Sequence, residues 1–156
     1  MTAPFNFNPE AVSAAIEVLD PDEYEVIVGE PKAFSREKAE GKGTSVGIRF
    51  PLSVAEGPSK GKKVFYTCYL TSDGAQAIAK QFLMAVHGFK RDAASEKEFN
   101  AAFRGADWGY DVTSGACGDA WNSAKGKRVR FAADVRTYEG AVQQEFKPGC
   151  FSPING

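Results

Sequence analysis

Apolar and polar positions alternate with a period of two in three well-separated stretches of this chain. In 44–54, Val46, Ile48, Phe50, Leu52 and Val54 fall on one face. In 62–70 the same face is made by Val64, Tyr66, Cys68 and Leu70, and in 127–138 by Val129, Phe131, Ala133 and Val135. Such alternation predicts half-buried strands. A shorter run, 24–28, adds a strand with Tyr24, Val26 and Val28 on one side, and Glu139-Gly140 turns the chain into an antiparallel partner over 141–147. Elsewhere the period lengthens. Ala75, Ile78, Ala79, Phe82, Leu83 and Val86 form the stripe of a helix capped by Ser72 or Asp73 and stopped at Gly88. Ser95-x-x-Glu98 has the form of a capping box and opens a shorter helix with Phe99, Ala102 and Phe103. Asn8-Pro9-Glu10 starts a short N-terminal helix that ends before Pro21.

Between these elements, 35–45 reads as a polar hairpin loop, 57–61 as a turn, 104–126 as a long loop and 148–156 as coil. Pro51, inside the second strand, predicts an edge strand or a bulge. The order is three strands, a helical insertion and two strands. The predicted fold is therefore mostly β: an OB-fold-like five-stranded barrel, with the helical insertion between strands 3 and 4 and a short N-terminal helix. Residues 1–156 form one such domain, with an acidic segment over 1–22.

A chain of 156 residues with 43% apolar and 25% charged residues suits one globular domain. Three cysteines, far apart and odd in number, point to a reducing, cytoplasmic setting. No apolar run is long enough for a membrane span, and 1–8 lacks the pattern of a signal peptide. Charge is unevenly spread. Residues 1–31 hold seven acids and no Lys or Arg, whereas the other 125 hold all 19 basic residues, a surplus of six over their acids. An acidic segment on a basic body suggests a polyanion partner, or a segment that competes with one.

Catalytic constellations do not assemble. His87 is the only histidine, and its place before Gly88 suits an imidazole interacting with the last carbonyls of a helix. Gly41-Lys42-Gly43-Thr44 lacks the first glycine of a phosphate loop. Asp107, Asp111 and Asp119 lie in Gly-rich sequence, where turn chemistry accounts for them better than a metal does. No enzyme, cofactor or metal site is expected.

Binding chemistry is better represented. If Val64, Tyr66 and Cys68 face inward, Lys63, Phe65, Thr67 and Tyr69 face outward: two rings and an ammonium on one strand, suited to base stacking beside a phosphate contact. On the fourth predicted strand, Arg128, Arg130 and Arg136 alternate with the apolar positions, and Tyr138 stands at the end. Lys32, Arg36, Lys38, Lys42, Arg49, Lys60 and Lys62 are candidates to line a groove along a nucleic-acid backbone. Trp108, Tyr110 and Trp121 are read as plugging the barrel end rather than stacking bases.

Phe5-Asn6-Phe7-Asn8-Pro9-Glu10, Tyr24-Glu25-Val26-Ile27-Val28 and Gly61-Lys62-Lys63-Val64-Phe65 resemble segments of a family of phage-encoded single-stranded-DNA-binding proteins. Gly126-Lys127-Arg128-Val129 and Glu145-Phe146-Lys147 resemble that family's last hairpin. Two features depart from it. Pro21-Asp22-Glu23 stands where a glycine precedes the first strand's tyrosine, and no acidic tail follows the last hairpin, which leaves the N-terminal segment as the source of any regulatory acid. The resemblance implies an OB-fold, no cofactor, and work in phage DNA replication or recombination in the host cytoplasm. The implied partners are single-stranded DNA and replication or recombination proteins; no membrane is involved, and homo-oligomer formation stays open. Two other readings fit the same composition: a structural β-barrel component of a phage particle, and an inhibitor or adaptor of a host protein that uses the acidic segment.

Overall fold

The computed structural model describes residues 18–37, 41 and 43–154. The expected helix starting at Asn8, the Phe5–Phe7 segment, Lys38 and Lys42 lie outside them. In chain order the elements are β1 (Asp22–Val28), β2 (Lys32–Glu37), β3 (Thr44–Val54), β4 (Lys63–Tyr69), α1 (Asp73–Val86), α2 (Ala93–Ala102), α3 (Asp119–Asn122), β5 (Arg128–Tyr138), β6 (Ala141–Glu145) and β7 (Phe151–Ser152). The strands form one curled antiparallel sheet in the order β2-β3-β1-β5-β6, with β4 also on β3 and β7 also on β5. The fold is mostly β and OB-like, as expected, but as a seven-stranded half-barrel rather than a five-stranded barrel; the helices lie between β4 and β5, the third and fourth of the strands expected.

The inward positions of the alternating stretches make the core. Val26, Ile48, Phe50, Leu52, Val129 and Phe131 are fully buried. Each such side chain contributes about 1.5–3 kcal/mol by leaving water. α1 closes the open side, and its Phe82 meets Phe50 at 5.2 Å, Tyr66 at 4.8 Å and Phe151 at 4.7 Å. Ser72 caps α1 by accepting from the Ala75 N–H, as expected. At the other end, Gly88 takes a φ of 84°, and the Gly88 and Phe89 N–H groups donate to the Ala85 and Met84 carbonyls.

Four expectations about the strands and helices change. Residues 35–37, read as loop, belong to β2, which pairs with β3 from Lys32↔Arg49 to Glu37↔Thr44. Only Ala33 of this strand is buried, so its alternation is nearly silent. The terminal coil includes β7, paired to Phe131 through Phe151. α2 begins at Ala93 rather than at Ser95, because the Asp92 carboxylate accepts from the Ser95 N–H at 2.7 Å. Pro51 lies in an interior strand rather than an edge or a bulge. β3 pairs with β2 up to Arg49 and with β1 from Leu52, and the missing N–H falls at the changeover. There the Pro51 carbonyl accepts from the Gly29 N–H at 2.7 Å.

Within 104–126, Trp121 is buried and gives its indole N–H to the Trp108 carbonyl at 2.8 Å. The two indoles meet edge to face at 4.9 Å, and Trp121 lies 6.4 Å from Phe50 of the core. Asp107 and Asp111 accept from the Gly109 and Thr113 N–H groups, which is turn chemistry. Cys68, Cys117 and Cys150 are free thiols. Among the described residues no helix is long and apolar enough to cross a membrane.

His87 does not sit on helix carbonyls; backbone N–H groups occupy that place. Its ring packs on Phe103 at 4.9 Å, and its Nε2 lies 3.3 Å from Ser123 Oγ. Burial, with Lys127 nearby, lowers its pKa from 6.5 to about 4. As the pH falls, the unfolded chain therefore takes up this proton first. Stability is expected to be level above pH 6.5, to fall between pH 6.5 and about 4, and then to stop falling on this account. Hydrogen bonds hold the carboxylates of Asp92, Asp111 and Asp134 below their usual 3.8, so their contribution is lost only at lower pH. Urea midpoints across pH 4–7 check this, with His87→Gln expected to flatten the curve.

Candidate nucleic-acid interface

The outward positions of β2, β3 and β4 are locked into rows by their register. Lys32, Arg49 and Thr67 make one row, and Phe34, Gly47 and Tyr69 the next. Arg36 stands opposite Ser45, Phe65 opposite Pro51 and Lys63 opposite Ser53. The result is a three-stranded outer face with rings at its centre and cations around them. Phe65 is 48% and Tyr69 42% exposed, large values for aromatic side chains in a sheet.

Three contacts organise this face. The Arg49 guanidinium lies 4.1 Å over the Phe65 ring, which holds a charge and a flat apolar surface together. Phe34 meets Tyr69 edge to face at 6.5 Å. Gly47 lies under that pair: a Cβ there would come within 2.8 Å of Thr67 Cγ2 and 3.2 Å of the Phe34 ring. A side chain at 47 would therefore push the rings off the strand.

The face continues into a cleft. Among the described residues β4 pairs only with β3, and β6 only with β5, which leaves an open seam between them. A hollow of about 490 Å³ fills this seam, with Phe65 and Tyr69 on one side, Arg136 and Lys147 on the other, and Ile78 of α1 at its end. Its floor is Tyr66 and Phe146, 5.1 Å apart. The Leu70 N–H donates to Val46, and the Val54 N–H to Lys62. These bonds set the phase of β4: even-numbered residues bond to β3, whereas Phe65, Thr67 and Tyr69 turn their backbone N–H and C=O groups to the seam.

Of the residues singled out in the sequence, Lys32, Arg36, Arg49, Lys63, Phe65 and Tyr69 come together on this face, and Arg136 reaches it across the seam. Lys62 is exposed in the turn just before β4. Lys32 lies 4.0 Å from Glu30. Lys38 is outside the described residues. Three others are elsewhere. Arg128 pairs with Glu25 at 3.1 Å and Glu56 at 3.5 Å. The half-buried Arg130 donates to the Ile154 carbonyl at 3.1 Å. Tyr138 stands exposed beside the tight turn at Glu139-Gly140, off the patch. The cause is the length of β5. Its residues up to Ala133 pair with β1, and those from Asp134 pair with β6. One alternating face thus spans two walls of the barrel, and on the first of them Glu25 of β1 and Glu56 neutralise Arg128.

Phe34, Gly47, Ile78 and Lys147 also belong to this face and its seam, beyond the residues expected there. The first had a signal, since Lys32, Phe34 and Arg36 alternate just as a ring-bearing strand face does. The others depend on packing between elements distant in sequence. No family model matches this chain, and no curated protein matches it either.

Proposed function

We propose that this chain is a sequence-tolerant single-stranded DNA-binding protein, without a catalytic step of its own, that acts in phage DNA replication or recombination in the host cytoplasm. One observation carries the reading: the outer face of β2, β3 and β4 sets Phe34, Phe65 and Tyr69 among Lys32, Arg36, Arg49 and Lys63. Rings accept any base, because every base has a flat π-face. The surrounding cations neutralise phosphates without reading sequence. The open seam gives a flexible strand a way off the face toward Arg136. A duplex keeps its bases stacked inside and cannot use the rings. The likeness of several segments to phage single-stranded-DNA-binding proteins supports the same assignment.

The test is fluorescence anisotropy with labelled oligo-dT, duplex DNA and RNA over a range of salt. Five cations (Lys32, Arg36, Arg49, Lys63 and Arg136) touching five phosphates would give log K against log salt a slope of about −3.5. Oligo-dT is expected to bind well ahead of duplex. Equal, weak binding to all three would overturn the proposal.

A further inference from the structure

A second hollow, of about 450 Å³, lies between α1, α2 and the segment after α2. That size is within the range of small-ligand sites. Its walls are a run of rings. Phe99 and Phe103 meet at 4.7 Å, Phe103 and Trp108 at 5.3 Å, and Trp108 and Trp121 at 4.9 Å, with the exposed Tyr110 at the mouth. The polar groups on its rim are amides and one ammonium. Gln76 gives an amide N–H to the Leu70 carbonyl at 2.8 Å, which leaves its amide oxygen as an acceptor. Asn100 adds an exposed amide, both donor and acceptor. Lys80 is already matched by Glu96 at 2.8 Å.

This combination favours one kind of occupant. Among the described residues that line the hollow, Lys80 is the one charged side chain, and it is matched by Glu96. The hollow offers flat π-surfaces and amide edges, which suit a heterocyclic base with its own donors and acceptors. Leu70, which lines the hollow, directly follows Tyr69, the last residue of β4, so a strand leaving the ring-bearing face past Tyr69 would turn around the end of β4 to reach it. We infer that this hollow takes one unstacked base of the bound single strand, flanked by Tyr110 and Trp108 and met at its edge by Gln76 and Asn100. The inference rests on the strand-binding reading above. It adds a single position at which the protein senses the base itself.

The fold supplies its own reporter. Trp108 and Trp121 are the chain's only tryptophans, and both line the hollow. Labelled oligo-dT is titrated into the full chain while anisotropy and tryptophan emission are followed together. Emission is expected to be quenched in step with the anisotropy curve. Tyr110→Ala and Asn100→Ala should each weaken binding by about fivefold or more and remove most of the quench, with melting temperatures unchanged. Binding by anisotropy without quenching, and with both variants at full affinity, would overturn the hollow but leave the face intact. Absence of any oligonucleotide binding would overturn both. Quenching that survives in Asn100→Ala and Tyr110→Ala at unchanged affinity would also overturn it, because the signal would then come from elsewhere.

Discussion

Replacing Phe65 and Tyr69 together by alanine is expected to lower affinity for oligo-dT by about two orders of magnitude or more, and by the same factor for any other single-stranded sequence. Each exposed ring that stacks a base contributes about 1–3 kcal/mol. On the proposed function, two rings on one strand, 48% and 42% exposed, would carry much of the non-electrostatic binding. The salt slope should stay the same, because Arg49, Lys63 and Arg136 remain. Folding should change little. The losses are the Arg49–Phe65 contact and the Phe34–Tyr69 edge contact, each worth about 1 kcal/mol. Anisotropy titrations read the first effect and urea unfolding the second. Full affinity in the double variant, or a loss confined to one base sequence, would remove the rings from the mechanism.

Phe131→Ala is expected to have the largest effect on stability, about 3–5 kcal/mol. Phe131 is fully buried and lies in a stack, with Phe146 at 5.3 Å and Phe151 at 5.1 Å, both within about 22° of parallel. It also pairs across β1 with Tyr24 and across β7 with Phe151. Truncation leaves a cavity that none of three strands can collapse to fill. For a domain of this size, a melting temperature lower by about 10 °C is the corresponding reading. A loss under about 1 kcal/mol in urea unfolding would mean that the stack is not the keystone of this wall.

The long alternating runs were legible because a strand with one wet face writes its period directly into the sequence. Ile48, Phe50, Leu52 and Val54, and Val64, Tyr66 and Cys68, are inward where alternation placed them, and from that it followed that Phe65 and Tyr69 face out. β2 escaped because one buried alanine is too little pattern, and Phe34 escaped with it. The arginines of β5 show a different limit. Period two assigns Arg128, Arg130 and Arg136 to one face, yet a strand of 11 residues in a curled sheet turns that face through two environments. Whether an arginine meets Glu25 or an open seam is decided by its neighbours across the barrel, which no local period encodes. Pro51 gave a misleading signal for a related reason. Its missing N–H is harmless where β3 exchanges one partner for another, a place that only the assembled sheet defines.

Because β4, among the described residues, presents unpaired backbone in the seam beside its rings, covering that strand would also hide the surface proposed to stack bases. On that proposal, nucleic acid and a neighbouring copy of the chain would compete for one strip of polypeptide. Preparations stripped of oligonucleotide should cloud first when concentrated, and a short oligo-dT should clear them.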